Sequence, residues 1–227
     1  MRRFGETGLP LDLDAWLDGY LAALTEAFGS RIRFVGLQGS AARGEATEES
    51  DIDLVVIFDT ADAADIEAYR AMLDRLAHRD RVCGFFAGWE ELLRWEPSDL
   101  FHLCHDTVPL YGTLDEAFAQ IDADAVDRAI RTGACNLYHG CVHNMLFERD
   151  TGILPELYKS AAFVIRALVF RDTGRFCSSF RELCDAAGEE ERAIVSAYIG
   201  MKRGAIPDFA AASEALFAWA RKVVAQK

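Results

Sequence analysis

The sequence lacks the segments that carry a chain into or across a membrane. No window approaches the roughly 18 uninterrupted apolar residues of a membrane-spanning helix. The basic start at Arg2 and Arg3 is followed by Glu6 and Asp12 without the apolar stretch of about 7–15 residues that a signal peptide needs. We therefore expect a cytoplasmic protein that makes no use of a membrane.

Basic residues are scarce as well. The chain has 24 lysines and arginines against 37 aspartates and glutamates, a formal net charge of −13. Such a charge repels phosphate backbones, so nucleic acid is not an expected partner. It suits a small cationic substrate, or metal ions that bring in a small anionic one, although solubility alone explains it equally well.

The cysteines lack the spacing that is typical of a disulfide framework. The six cysteines form no Cys-x-x-Cys pair and are scattered through apolar contexts. In a chain of 227 residues, of which 51% are apolar, they indicate reduced and mostly buried thiols inside a packed core. This usage also favours the cytoplasm.

The patterns along the chain divide it near residue 114. The first half mixes helical spacing with short stretches typical of strands, at 31–37, 51–58 and 82–87. After residue 114 the strand signals stop, and five segments repeat at helical spacing: 125–147, 154–170, 180–187, 191–201 and 209–224. We expect an α/β half followed by an all-α half.

Two aspartates stand where a small polar segment meets a buried strand. Asp51 and Asp53 are two residues apart, so on a strand they point to the same face and lie a few ångströms from each other. Carboxylates this close repel each other unless a cation lies between them. Mg²⁺, or Mn²⁺ in its place, takes one or two carboxylates and leaves its other positions to water and phosphates, so we predict a metal site here.

Gly39 and Ser40 close the preceding predicted strand, and the residues after them can open a helix. Helix N-termini present free N–H groups that bind phosphate. Gly39 lets a phosphate approach the backbone, the Ser40 hydroxyl adds a donor, and Arg43 can reach a terminal phosphate with a forked contact. Adjacent strands would bring these donors to the metal carboxylates, which indicates a nucleoside triphosphate and phosphoryl-type transfer.

The whole stretch, Gly39-Ser40 followed by Ser50-Asp51-Ile52-Asp53-Leu54, resembles the motif of a nucleotidyltransferase superfamily. That superfamily includes DNA polymerase β, the aminoglycoside nucleotidyltransferases and the minimal nucleotidyltransferases. Its motif is Gly-Ser, about a dozen residues, and then Asp-x-Asp. The resemblance is strong over residues 30–60. The helical half resembles HEPN-like or substrate-binding bundles in architecture alone.

The resemblance implies an α+β fold. Residues 1–113 would form a nucleotidyltransferase-like mixed β-sheet flanked by helices, and residues 114–227 a helical substrate-binding or HEPN-like bundle. The resemblance implies that Asp51 and Asp53 bind the metal and act in catalysis. It implies that the nucleotide is bound by Gly39, Ser40, Arg43 and Ser50. The expected reaction moves a nucleoside monophosphate, AMP from ATP or its equivalent from another triphosphate, to a small cationic or protein acceptor and releases pyrophosphate. A homodimer is also expected.

One expected group is missing from the pattern. Members of this family normally carry a third carboxylate on the third strand, but the stretch 82–87 contains no acid, and Asp80 and Glu90 only flank it. Either a base comes from the helical half, where Glu148 is available, or the protein binds nucleotide with little turnover. A nucleotide-binding regulatory or antitoxin-like module is therefore the alternative function.

Three residues of the helical half share one face of a predicted helix: Cys135, His139 and His143. They could bind zinc, although the glutamate of the metalloprotease signature is absent. They could also line a polar cleft opposite the aspartate pair, but contacts between packed helices are favoured. Arg131 and His139 resemble the pair of HEPN ribonucleases. Seven residues separate them where that family has roughly four to six, and the acidic balance argues further against RNA cleavage.

Overall fold

A computed structural model describes residues 3–226, and the chain divides into two compact units, Met1–Gln120 and Ile121–Lys227. The sequence predicts this boundary after residue 113. The division falls later because a short helix, Asp115–Phe118, packs on other helices of the first unit. The assignment of the two units as a catalytic and a substrate-binding domain stays a prediction.

The first unit is built on a four-stranded mixed sheet. Its strands are β1 (Ile32–Gln38), β2 (Ile52–Phe58), β3 (Val82–Gly88) and β4 (Val108–Tyr111). Its helices are α1 (Leu13–Phe28), α2 (Gly39–Arg43), α3 (Ala63–Leu73), α4 (Trp89–Leu93), α5 (Pro97–Asp106) and α6 (Asp115–Phe118), with 3-10 turns at Gly29–Arg31 and Arg79–Arg81. The strand order is β3-β2-β1-β4, with β2 antiparallel to β1 but parallel to β3. The predicted α+β class with a mixed sheet is confirmed.

The alternation of buried residues along β2 shows which face of the sheet packs against α1. The helix begins where the Asp12 carboxylate accepts a hydrogen bond from the Ala15 N–H, and it ends at Gly29, as the sequence predicts. Its apolar stripe consists of Leu13, Leu17, Tyr20 and Leu24. One buried cluster joins this stripe to every second residue of β2, namely Ile52, Leu54, Val56 and Phe58. Asp53 and Val55 therefore belong to the opposite face.

The second unit consists of helices and the loops that connect them, with no strand among its described residues, 121–226. Its helices are α7 (Ala123–His143), α8 (Leu154–Thr173), α9 (Phe180–Ala186), α10 (Glu189–Lys202) and α11 (Phe209–Ala225), with a π-helical turn at Asn144–Glu148 and a 3-10 turn at Thr151–Ile153. The predicted all-α second half is confirmed. Within residues 3–226, no helix is both long enough and apolar enough to span a bilayer.

An aromatic cluster surrounds a fully buried arginine in this helical unit. The guanidinium carbon of Arg166 lies 5.1 Å from the ring centroid of Phe163, 5.2 Å from that of Phe176 and 5.0 Å from that of Phe180. Such cation–π contacts offset part of the cost of burying the charge. The phenylalanines of this half thus serve the core, as their helical spacing predicts.

A buried hydroxyl pair in the first unit gives a test of its packing. The Tyr20 and Tyr69 hydroxyl oxygens are 2.9 Å apart, and burial raises the pKa of Tyr69 to about 12. Tyr69→Phe should lower the free energy of unfolding by roughly 1–2 kcal/mol, because the Tyr20 hydroxyl loses its partner. In urea unfolding, Tyr20→Phe/Tyr69→Phe should cost less than the two single changes added together; additive costs would contradict the pair.

Candidate active site

The end of β1 and the start of β2 meet at the predicted phosphate and metal residues. Gln38, the last residue of β1, pairs with Asp53 on β2. Gly39 follows with a φ of 71° and begins α2. A Cβ on Gly39 would lie 1.9 Å from Oδ2 of Asp53, so the carboxylate occupies the space that any side chain there would need. The structure therefore brings Gly39 and Asp53 into contact within one unit.

Asp51 lies in a different setting from Asp53. Because β2 begins at Ile52, Asp51 stands just before the strand, one residue outside its observed bounds. Asp51 is exposed, Ile52 is fully buried and Asp53 is half-buried. This alternation is the one expected if both carboxylates point away from the core that buries Ile52. Their shared use as metal ligands stays a prediction.

The chemistry of this pair suits Mg²⁺ or Mn²⁺. Both are hard cations that prefer carboxylate and other oxygen ligands. In the part of the chain that the structure describes, no group of three or more His, Cys, Asp or Glu side chains is arranged to hold a metal. An ion at Asp51 and Asp53 would therefore complete its coordination with water and phosphate oxygens, which is the usual mode of Mg²⁺.

Arg43 has carboxylate partners that the sequence did not reveal. Its side chain is only 7% exposed, and Nη1 donates to Oδ2 of Asp106 at 2.5 Å while Nε donates to Oε2 of Glu45 at 3.1 Å. Asp106 is the last residue of α5, so this ion pair joins α2 to α5. The partners are 63 residues apart, and no local pattern signals such a contact. Phosphate binding by Arg43 stays a prediction.

The two serines of the motif sit in local turns. Ser40 is half-buried in α2, and its carbonyl accepts the Glu45 N–H at 2.8 Å, which turns the chain after the helix. The Ser50 hydroxyl accepts the Thr47 N–H at 2.9 Å and closes the turn that leads into β2. Nucleotide binding by Ser40 and Ser50 stays a prediction, as does the same role for Gly39.

β3 carries a thiol at the position beside Asp53. It runs parallel to β2, and Cys83 is the register partner of Asp53. Cys83 is exposed, and the flanking acids Asp80 and Glu90 lie before and after the strand. The sequence alone shows that the strand has no acid. It does not give the register, because residues 59–81, which include α3, separate the two strands along the chain.

The polar residues of α7 do not form a metal centre. Cys135, His139 and His143 are exposed, so the prediction that they pack between helices is wrong. The two histidine rings are 6.2 Å apart, and His143 Nε2 lies 3.2 Å from Oε1 of Glu148. Since no three-residue metal cluster exists among the described residues, the zinc alternative has no site. A role for Glu148 as a base stays a prediction.

Comparison with known proteins agrees with this geometry. A family model described as a nucleotidyltransferase domain matches residues 18–94, a range that runs from within α1 to the end of α4. The chain therefore carries a nucleotidyltransferase domain, which confirms the predicted superfamily and the predicted class of enzyme, a nucleotidyltransferase. A comparison with curated proteins gave no match.

A solved structure extends the likeness in fold to nearly the whole chain. It is the spectinomycin adenyltransferase AAD(9) from Enterococcus faecialis, crystallised with ATP and spectinomycin. The TM-score is 0.61 at 13% sequence identity, over 94% of this chain and 99% of that one. At this identity the match establishes a shared fold.

The contact between Gly39 and Asp53 can be tested with two matched glycines. Gly39→Ala should lower stability by about 1–2 kcal/mol through its positive φ, and it should also displace the Asp53 carboxylate and abolish binding of a Mg²⁺–ATP analogue. Gly44→Ala is the control, because Gly44 has the same φ of 71° with nothing within 4 Å of an added Cβ. Calorimetry should show normal binding for Gly44→Ala; equal losses in both variants would contradict the contact.

Variants at the ion pair of Arg43 can distinguish a structural role of this residue from a role in phosphate binding. Arg43→Met should lower the free energy of unfolding by roughly 3 kcal/mol, because it takes the guanidinium away from two largely buried carboxylates. Adding Asp106→Asn should recover part of this loss in urea unfolding. If Arg43→Met weakens binding of the ATP analogue and Asp106→Asn does not, Arg43 contacts phosphate; equal weakening in both would contradict that contact.

Proposed function

We propose that the protein transfers AMP from ATP to a hydroxyl group of a small molecule and releases pyrophosphate. The acceptor oxygen forms a bond to the α-phosphorus, the bond from that phosphorus to the bridging oxygen breaks, and the electron pair leaves with pyrophosphate. The hydroxyl proton passes to water. The observation that supports this proposal most directly is the contact between Gly39 and the Asp53 carboxylate, because it joins the two halves of the motif.

Each motif residue has a role in this proposal. Gly39 and Ser40 hold the triphosphate through backbone and hydroxyl donors, and Arg43 and Ser50 support this phosphate site. Asp51 and Asp53 hold Mg²⁺ or Mn²⁺, which when bound neutralises charge on the phosphates. Asp53, half-buried and in contact with Gly39, fixes the distance between the metal carboxylates and the triphosphate.

The acceptor is a small cationic molecule in this proposal, with a protein side chain as the other candidate. The net charge of −13 attracts cations and repels nucleic acid. The structurally similar adenyltransferase was solved with ATP and spectinomycin, which favours ATP and a small-molecule acceptor over other pairs. The cytoplasmic location and the homodimer stay predictions.

The thiol on β3 favours a second candidate, a nucleotide-binding module with little turnover. A positioned base contributes roughly 10²–10⁴ in rate, and β3, on which Cys83 pairs with Asp53, carries no acid although this family normally has a third carboxylate on that strand. Such a module would bind Mg²⁺–ATP and release no pyrophosphate with any acceptor. Calorimetry combined with a pyrophosphate-release assay over candidate acceptors distinguishes the two functions.

Asp53→Asn is the decisive variant for the proposed site. It removes one carboxylate charge while keeping the shape of the side chain, so metal-dependent binding of the ATP analogue should fall at least a hundredfold and pyrophosphate release should be lost. Asp80→Asn is the matched control, since Asp80 is exposed and lies outside the strands. Normal transfer by Asp53→Asn would refute the assignment.

A further inference from the structure

Asp51 and Asp53 are held in place by different parts of the first unit. Asp53 lies within β2 and pairs with Gln38 on one side and with Cys83 on the other. Asp51 stands one residue before the strand and is exposed, so neither the sheet nor core packing fixes its side chain. The placement of Asp51 therefore depends on the segment before it, residues 44–50, as well as on the strand after it. We call this segment the entry loop.

Arg81 donates hydrogen bonds to two carbonyl groups of the entry loop. Its Nη1 lies 2.6 Å from the Glu48 carbonyl oxygen and 3.4 Å from the Ser50 carbonyl oxygen. The Ser50 carbonyl belongs to the peptide group that joins Ser50 to Asp51. Because a charged donor forms a stronger hydrogen bond than a neutral one, Arg81 restrains the orientation of that peptide group.

The register of the sheet explains why Arg81 reaches this loop. Ile52 pairs with Val82 at the start of the two parallel strands, so Asp51 and Arg81 occupy equivalent positions one residue earlier. Arg81 is half-buried and is the last residue of the 3-10 turn Arg79–Arg81. It lies 33 and 31 positions along the chain from the two residues whose carbonyls it contacts, so no local pattern indicates the contact.

The beginning of the entry loop has a separate contact. A Cβ on Gly8 would lie 2.0 Å from the Ala46 carbonyl oxygen, so the N-terminal segment packs directly against the loop there. Further along, the Thr47 N–H donates to the Ser50 hydroxyl at 2.9 Å, and the Ser50 N–H donates to the Thr47 carbonyl at 3.0 Å, which closes a turn. Gly8 thus contacts the beginning of the loop, and Arg81 holds the turn at its end.

We infer that Arg81 is a positioning residue for the proposed metal site, because by holding the end of the entry loop it keeps the Asp51 carboxylate beside that of Asp53. This inference rests on the proposed function and adds to it a residue outside the motif. Loss of a partner that orients a metal ligand typically lowers metal affinity about 10–100-fold. The charge of Arg81 acts in the opposite direction, because a nearby positive charge repels a bound cation. The two effects therefore predict opposite signs for the loss of Arg81, and the positioning effect is the larger.

The first experiment needs no metal. Amide hydrogen exchange is measured on the full chain, and Arg81→Met is compared with the unmodified protein. The Thr47 and Ser50 amides are hydrogen-bonded within the turn, so they should exchange about tenfold faster in the variant, in which the turn opens more often. Arg79→Met is the matched control and should leave both amides unchanged. It removes the same charge from the same 3-10 turn, but the Arg79 side chain pairs with Asp74.

The second experiment measures the metal alone. Binding of Mn²⁺ to the full chain is followed by electron paramagnetic resonance, and thermal unfolding checks each variant. Arg81→Met should raise the Kd for Mn²⁺ about tenfold although it removes a positive charge, whereas Arg79→Met should change it less than about twofold. Arg81→Lys should recover most of the affinity, because its ammonium group can donate to the same carbonyls.

A third measurement tests direct contact with the nucleotide. Without metal, the affinity for α,β-methylene-ATP should change less than about twofold in all three variants, since Arg81 acts through Asp51. Weaker metal-free binding of this analogue in Arg81→Met would make Arg81 a phosphate-binding residue and would overturn the inference.

The remaining outcomes separate this inference from the function on which it rests. An unchanged or lower Kd for Mn²⁺ in Arg81→Met would contradict a positioning role, as would equal increases in Arg81→Met and Arg79→Met. Unchanged exchange of the Thr47 and Ser50 amides would contradict it as well. If the unmodified protein binds neither Mn²⁺ nor the ATP analogue, the proposed function itself fails, and the exchange experiment still shows whether Arg81 holds the entry loop.

Discussion

The candidate site depends on one close contact, the carboxylate of Asp53 against the backbone of Gly39. The space beside Gly39 is filled by that carboxylate, so any side chain at this position would have to displace it. The positive φ of Gly39 then turns the chain from β1 into α2 directly beside the strand that carries Asp53. A backbone constraint thus brings the residues proposed to bind phosphate beside the aspartate proposed to bind the metal.

The rest of the first unit holds this contact in place. On one face of β2, Ile52 and every second residue after it pack into the core shared with α1, which fixes the register of the strand. On the other side of the contact, Arg43 ties α2 to Asp106 at the end of α5. Because both anchors are largely buried, the geometry at Gly39 is determined by the fold before any ligand binds.

The sequence predicts the features that depend on local patterns, but it does not predict contacts between elements that are distant along the chain. The helical stripe of α1, the stop at Gly29 and the absence of strands after residue 114 follow from periodicity and turn chemistry, and the structure agrees. The partners of Arg43 and the placement of Cys83 beside Asp53 do not follow, because they depend on elements distant in sequence. The exposure of His139 was misjudged for the same reason, since helical spacing shows which residues share a face but not what covers that face.

The lack of an acid on β3 affects the rate expected of the proposed reaction rather than the groups that it transfers. A general base supplies roughly 10²–10⁴ of an enzymatic acceleration that is usually far larger, so alignment of the substrates and neutralisation of phosphate charge can act without it. The side chain of Cys83 is also smaller than that of a glutamate, which leaves more space on the β3 side of Asp53. In the proposed enzyme, the lack of an acid on β3 would therefore lower the rate of transfer and leave the proposed phosphate and metal residues in place.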